Sequence, residues 1–168
     1  MQNIDNEFRL DQPRPNDLVA SPLLIAGMGG GFEGTIGIRV LDDTGHIIES
    51  TYTNSAWMAR QFHKSIEFPV PPTTTKGVVQ VGPDSGESGP AWVSVPVFFG
   101  TAIVPTFRSY FLYVVQQGDT LSGIAADATA SGLYEGSGWQ PIFQANEHIV
   151  SDPNVIHPGM VLRIPGGF

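Results

Sequence analysis

The stretch QQGDTLSGIAADAT, residues 116–129, sets a glycine, an aspartate and a threonine directly ahead of an alanine-rich segment. Gly118 breaks the β-branched run Tyr113-Val114-Val115, and Asp119 or Thr120 can accept hydrogen bonds from the first amides of a helix. Leu121, Ile124, Ala125 and Ala128 then recur at i, i+3, i+4 and i+7, one apolar face of that helix. The loop between strand and helix is very short and leaves unpaired backbone N–H groups at its bend. Such a bend is either punctuation or a place where a ligand docks.

Other residues with chemical potential do not assemble into a reactive pattern. GGGFEG, residues 29–34, matches G-x-G-x-x-G, but it leads into the strand-like TIGIRV. A dinucleotide loop must lead into a helix whose N-terminus faces the phosphates. His46, His63, His148 and His157 lack metal-ligand spacing. Glu33 has no second carboxylate placed by a motif, as glycan hydrolysis would need. Ser88 in GESGP lacks the G-x-S-x-G elbow. Cysteine is absent, which removes disulfides, thiolate metal sites and a cysteine nucleophile together. The expectation is a chain that is not an enzyme, with no metal and no cofactor.

Bulk composition narrows the partner class. Acidic residues outnumber basic ones 16 to 8, for a formal charge of −8. Nucleic acid and anionic lipid both select basic patches, so neither is expected as the main partner. Hydrophobic residues make up 41 % and charged residues 14 % of the 168, enough for a packed core. No segment offers the roughly 20 apolar residues that span a bilayer. The opening MQNIDNEFRLDQPRP lacks the apolar stretch of a signal peptide, so a mature form or a leaderless route is expected.

The elements that must position these residues fall into two halves. From about Asp17 to Val97 the chain is written in strands, with 20 glycines and 14 prolines in the whole sequence supplying turns. LVASPLLIAG is an apolar run broken by Pro22, which suggests an edge or a bulge. TIGIRVLDDTGHIIESTYT is a hairpin: Ile36, Ile38 and Val40 alternate with Thr35, Gly37 and Arg39 around the turn Asp42-Asp43-Thr44-Gly45. QFHKSIEFPV spaces Phe62, Ile66 and Phe68 evenly, and GVVQVG and AWVSVPV complete six or seven strands. That spacing predicts a β-sandwich. From about Tyr110 the order is strand, helix, helix, strand. Trp139, Ile142, Phe143 and Ile149 mark the second helix, and Met160 to Ile164 the last strand. Between the halves, Phe98, Phe99, Phe107, Tyr110 and Phe111 crowd a junction with almost no polar spacer. This is no flexible tether. It packs as an extra strand and core, or forms an interface with another chain.

The second half resembles a LysM (lysin motif) domain. The carrying residues are Y-V-V-x-x-G-D-T-L-x-x-I-A from Tyr113 to Ala125, Q-A-N at Gln144, Ala145 and Asn146, and D-P-N-V-I-H-P-G-M-V-L-R-I-P from Asp152 to Pro165. The resemblance implies a βααβ domain that binds N-acetylglucosamine-containing glycans, peptidoglycan or chitin, without cleaving them. It places one groove wall at Gly118, Asp119, Thr120, Leu121 and Ser122, and the other at Asp152, Pro153, Asn154, Val155 and Ile156. Free amides at the helix start suit an acetamido carbonyl, and Leu121 and Ile156 suit its methyl. Ser122 stands where many family members carry an aromatic, and Tyr134 in the long connector TASGLYEGSG either adds to the groove or blocks it. The first half is similar, more loosely, to the immunoglobulin-like domain of bacterial spore-germination proteins. Its carriers are SPLLIAG (21–27), FEGTIGIRV (32–40), D-x-x-G-H-I-I (42–48) and VSVPV (93–97).

The expected layout is an extension at 1–16, an immunoglobulin-like sandwich at 17–97, an aromatic junction at 98–111 and a LysM domain at 112–168. The expected role is a non-catalytic, bacterial cell-envelope or extracellular protein that binds peptidoglycan. The alternative is a structural subunit of a surface or phage-tail-like assembly, in which both domains make protein–protein contacts.

Overall fold

The computed structural model describes residues 8–30, 34–54, 60–69, 74–83 and 92–167. Residues 1–7, Glu33 and Ser88 lie outside the described residues. The chain divides into two compact units, Met1–Phe98 and Phe99–Phe168.

The first unit is an all-β, immunoglobulin-like sandwich of two sheets. One sheet has the order β1-β3-β6, from Arg9–Gln12, Leu23–Gly29 and Arg60–Ile66. The other has the order β2-β8-β7-β4-β5, from Asp17–Val19, Val93–Phe99, Lys76–Pro83, Thr35–Asp42 and Ile47–Asn54. The pairing is antiparallel at β1–β3, β3–β6, β8–β7, β7–β4 and β4–β5. The β4–β5 hairpin forms where the alternation places it, with Ile36, Ile38 and Val40 fully buried. Its turn is held by the Asp42 carboxylate, which accepts from Thr44 N–H (2.9 Å), Thr44 Oγ1 (2.7 Å) and His46 N–H (2.8 Å). Gly45 sits at φ +85°, a conformation that glycine adopts without a Cβ penalty. Phe62, Ile66 and Phe68 are buried as their spacing requires.

Two expectations change. Residues 9–12 are not extension but strand β1, paired with β3. Pro22 marks neither an edge nor a bulge. It stands in the gap between β2 and β3, where the chain passes from one sheet to the other.

The second unit is a small α+β fold. A turn of helix, α1 (Gly100–Ile103), precedes β9 (Ser109–Val114), α2 (Leu121–Ala130), α3 (Gln140–Ala145) and β10 (Val161–Gly166). β9 and β10 pair antiparallel from Val161↔Val114 to Gly166↔Ser109. The apolar face of α2 is buried at Leu121, Ile124, Ala125 and Ala128, against a core that includes Ile142, Leu162 and Ile164.

The aromatic junction is not one segment. Phe98 and Phe99 end β8, and Gly100–Ile103 form α1 where an extra strand was expected. Phe107 packs on Gly100, where any Cβ would collide with its ring. Tyr110 and Phe111 belong to β9, so the sheet of the second unit starts at Ser109, before residue 112. Phe98, Phe99 and Phe107 are buried, Phe111 is half-buried, and Tyr110 alone of the five is exposed. The second helix is shorter than its apolar markers suggest. It ends at Ala145, and Ile149 lies exposed in the turn beyond.

Candidate functional site

The bend after β9 is built by a carboxylate and a glycine. Asp119 Oδ2 accepts from Tyr113 Oη (2.8 Å) and from Gln116 N–H (2.7 Å), stapling the loop back onto the strand. The same bond holds the Tyr113 phenol above its ordinary pKa, since ionising it would set two anions together. Gly118 lies at φ +91° with open space around it, so backbone conformation, not crowding, requires glycine there.

The helix is then capped by Thr120, not by Asp119. Thr120 has extended backbone angles, and its Oγ1 accepts from Gly123 N–H at 3.1 Å. Its carbonyl takes Ile124 N–H at 2.9 Å. The N–H groups of Leu121 and Ser122 have no acceptor among the described residues and open outward at the helix start.

The facing loop is an Asx-type turn. Asp152 Oδ1 accepts from Asn154 N–H (2.8 Å) and Asn154 Nδ2 (3.1 Å), while Asp152 C=O accepts from Val155 N–H (3.0 Å). The two loops enclose a groove of about 260 Å³ lined by Asp119, Thr120, Leu121, Ser122, Pro153, Asn154, Ile156 and Trp139. Seven of the ten residues expected in the two walls thus meet around one cleft. The other three shape the loops from outside it: Gly118 at the bend, Asp152 as the staple, and Val155, which is exposed.

Residues 113–165 match the family model for the LysM domain. The C-terminal unit is a LysM domain. Residues 8–90 match the model described as the immunoglobulin-like domain of bacterial spore germination, and the sandwich is that domain. The potassium binding protein Kbp of Escherichia coli O6:H1 (strain CFT073) is 42 % identical over 62 residues. That stretch is 36 % of this chain and 38 % of Kbp, so the chain spans under two fifths of that relative. The crystal structure of CopC from Methylosinus trichosporium OB3b aligns over 55 % of this chain and 93 % of its own, at 23 % identity and a TM-score of 0.38.

Leu121 and Tyr134 act differently from the sequence reading, while Ile156 stands where it was expected. Leu121 is 3 % exposed, so its side chain fills the core below the groove. Ile156, half-buried, is the aliphatic side chain left on the groove surface. Tyr134 neither lines nor blocks the groove. It is 2 % exposed, its hydroxyl donates to Gly138 C=O at 2.7 Å, and burial pushes its pKa up to about 12. The ring fits because Gly136 has no Cβ to strike it, and the long connector folds around this anchor.

Trp139 follows that anchored connector directly and lines the groove. The sequence analysis took it only as a marker of the second helix. It stands at the N-cap of α3, half-buried, with its ring edge-on to Phe143 at 6.2 Å between centroids. Its place beside Gly136 and Gly138, at a helix start rather than inside the apolar face, was the available signal. An indole here supplies the aromatic surface that Ser122 does not.

Among the described residues, no cluster of three or more His, Asp or Glu side chains is placed to hold a metal ion. No helix among them is long and apolar enough to cross a membrane.

Proposed function

We propose that this chain is a non-catalytic cell-envelope or extracellular protein that holds peptidoglycan, or a chitin-like glycan, in the LysM groove. One observation carries the reading. The unpartnered amides of Leu121 and Ser122, the aliphatic Ile156 and the indole of Trp139 converge on a single cleft. An N-acetyl group presents a carbonyl acceptor, an amide donor and a methyl, and the cleft offers a counterpart to each. The indole face suits the apolar face of a pyranose ring, and the side-chain carbonyl of Asn154 can receive the acetamido N–H. Both domains belong to families of binding modules, which agrees with a role in retention rather than turnover. A single shallow groove binds weakly, so firm attachment calls for several copies on one wall or assembly.

The test is co-sedimentation of the purified chain with insoluble peptidoglycan and with chitin. Pelleting is expected in the range of tens of micromolar (about 6–7 kcal/mol of binding free energy). Thr120→Trp should fill the groove and abolish it. Asn154→Ala should weaken it, and Trp139→Ala should weaken it by roughly 3- to 10-fold, the range of one aromatic contact. Absence of pelleting by the folded parent chain would sink the glycan reading.

A second reading, as a structural subunit of a larger assembly, draws on the outward face of the LysM sheet. Leu112, Val114 and Val161 are 62 %, 49 % and 44 % exposed and adjoin one another across β9 and β10. A cluster of that kind suits a protein contact.

A further inference from the structure

The five-stranded sheet ends at β5, and among the described residues no strand lies beyond it. An open edge of this kind is a template for pairing with another chain. In an antiparallel ladder the N–H and C=O of one residue point to the same side, and the side alternates along the strand. Tyr52 C=O accepts from Lys64 Nζ, so the backbone groups of Tyr52 face away from β4. Those of Ser50 and Asn54 do the same, while Glu49, Thr51 and Thr53 turn theirs towards β4. The sequence of β5, IIESTYTN, is rich in β-branched and aromatic residues, with Glu49 its one charge. Such a segment readily takes a partner strand.

Two charged side chains occupy this edge. Lys64 sits on the core-facing side of β6, in alternation with the buried Phe62 and Ile66, where an aliphatic residue would be expected. The lysine instead reaches across the open side of the sandwich to β5. Its Nζ donates to Thr51 Oγ1 at 3.0 Å and to Tyr52 C=O, and lies 5.7 Å from the Tyr52 ring centroid. One step along, the Glu49 carboxylate accepts from Ser50 N–H at 3.0 Å. An outward acceptor and an outward donor of the same edge are thus both taken by charge. Inward-pointing charge near an edge strand is a device that prevents edge-to-edge pairing.

We propose that the free edge of β5 is a pairing surface for a second copy of this chain, held closed by Lys64 and Glu49. The strand is complementary to itself. Two antiparallel copies must set outward residues opposite outward residues, and a two-fold axis through Thr51 does so by placing Ser50 against Tyr52. Ser50 N–H would then donate to Tyr52 C=O of the second copy, and Tyr52 N–H to Ser50 C=O. The two groups that Glu49 and Lys64 occupy are therefore the donor and the acceptor of one bond in that ladder. Threonine meets threonine at the axis, a favourable cross-strand pair, and Glu49 faces Thr53 rather than its own copy. The side chains win in the parent chain because they are always at hand, whereas a second copy must give up its translational freedom. The chain's charge of −8 adds repulsion between copies. This edge lies in the sandwich and does not depend on the glycan reading of the LysM domain.

The experiment is analytical ultracentrifugation of the full chain up to about 0.5 mM, with hydrogen exchange read by NMR. It is run at physiological salt and at about 1 M, where screening within about 3 Å removes the repulsion between copies. The parent chain should sediment as a monomer in both. Lys64→Met combined with Glu49→Ala opens both groups and leaves the net charge at −8, since one charge of each sign is lost. This variant should dimerise at least about 10-fold more tightly than the parent, and exchange of the Ser50 and Tyr52 amides should slow by a similar factor. Adding Ser50→Pro should restore the monomer, because it deletes an outward N–H and spares the ladder to β4. A parent chain already paired through β5, a double variant that stays monomeric, or a dimer indifferent to Ser50→Pro would each overturn the proposal. If the double variant fails to fold, Lys64→Met and Glu49→Ala are measured singly. Each should then show a weaker dimer with the same slowed amides, and two monomers would overturn it.

Discussion

Replacing Asn146 with alanine should cost the LysM domain most of its stability. Asn146 is fully buried, the only polar side chain so placed among the described core residues. Its Nδ2 donates to Ile142 C=O and Arg163 C=O, each at 2.7 Å, and its Oδ1 accepts from Arg163 N–H at 2.8 Å. The backbone N–H and C=O of Arg163 point away from β9 and into this side chain. The amide thus serves as a one-residue strand along the outer edge of β10 and ties it to the end of α3. Alanine removes three hydrogen bonds and leaves both polar groups of Arg163 without that partner in the interior. At about 1–3 kcal/mol for each orphaned group, the loss is about 3–5 kcal/mol. A unit of about 70 residues has of order 4–10 kcal/mol to lose. Urea unfolding, followed through the Trp139 indole signal by NMR, should show the midpoint of the LysM unit falling steeply or the unit unfolded before denaturant is added. Asn146→Asp should be nearly as damaging, because a carboxylate repels the two carbonyls that the amide now serves. A loss below about 1 kcal/mol in Asn146→Ala would refute this account of the strand edge.

Two further outcomes follow from the same unit. Tyr134 has a folded pKa of about 12 against an ordinary value of 10.0, so the native state holds its proton more tightly than the unfolded chain. The stability this gives is fully present below pH 10 and is lost as pH rises from 10 towards 12. Thermal melts across that window should show the decline, and Tyr134→Phe should flatten it. An equal decline in the phenylalanine variant would show the reasoning wrong. Gly118→Ala should destabilise the LysM domain by about 1–2 kcal/mol from its φ of +91° alone, since no neighbour stands within 4 Å. Chemical denaturation measures this, and an unchanged midpoint would mean that the bend relaxes freely.

Much of this molecule was legible in the sequence because its signals are local. Alternating Ile36, Ile38 and Val40 fix which face of β4 is buried, and Asp42 to Gly45 fix the hairpin turn. Leu121, Ile124, Ala125 and Ala128 define the buried stripe of α2, and Gly118 with Thr120 sets where it begins. The LysM signature brought the two groove loops to attention although 29 residues, 123–151, separate them.

Tertiary structure decided whatever depends on residues distant in sequence sharing one place. Residues 9–12 carry no strand signal of their own and become β1 by pairing with β3. Whether Tyr134 or Trp139 lined the groove could not be read from two aromatics five residues apart. The answer came from Gly136 and the Gly138 carbonyl, which draw Tyr134 inward and leave the indole at the cleft. Gly37 and Gly82 are unremarkable in separate strands, and only register pairing makes them the bed for Trp92 beneath Arg39. Periodicity reports which way a side chain points, but what it meets is set by strand register and loop closure, and those are properties of the whole chain.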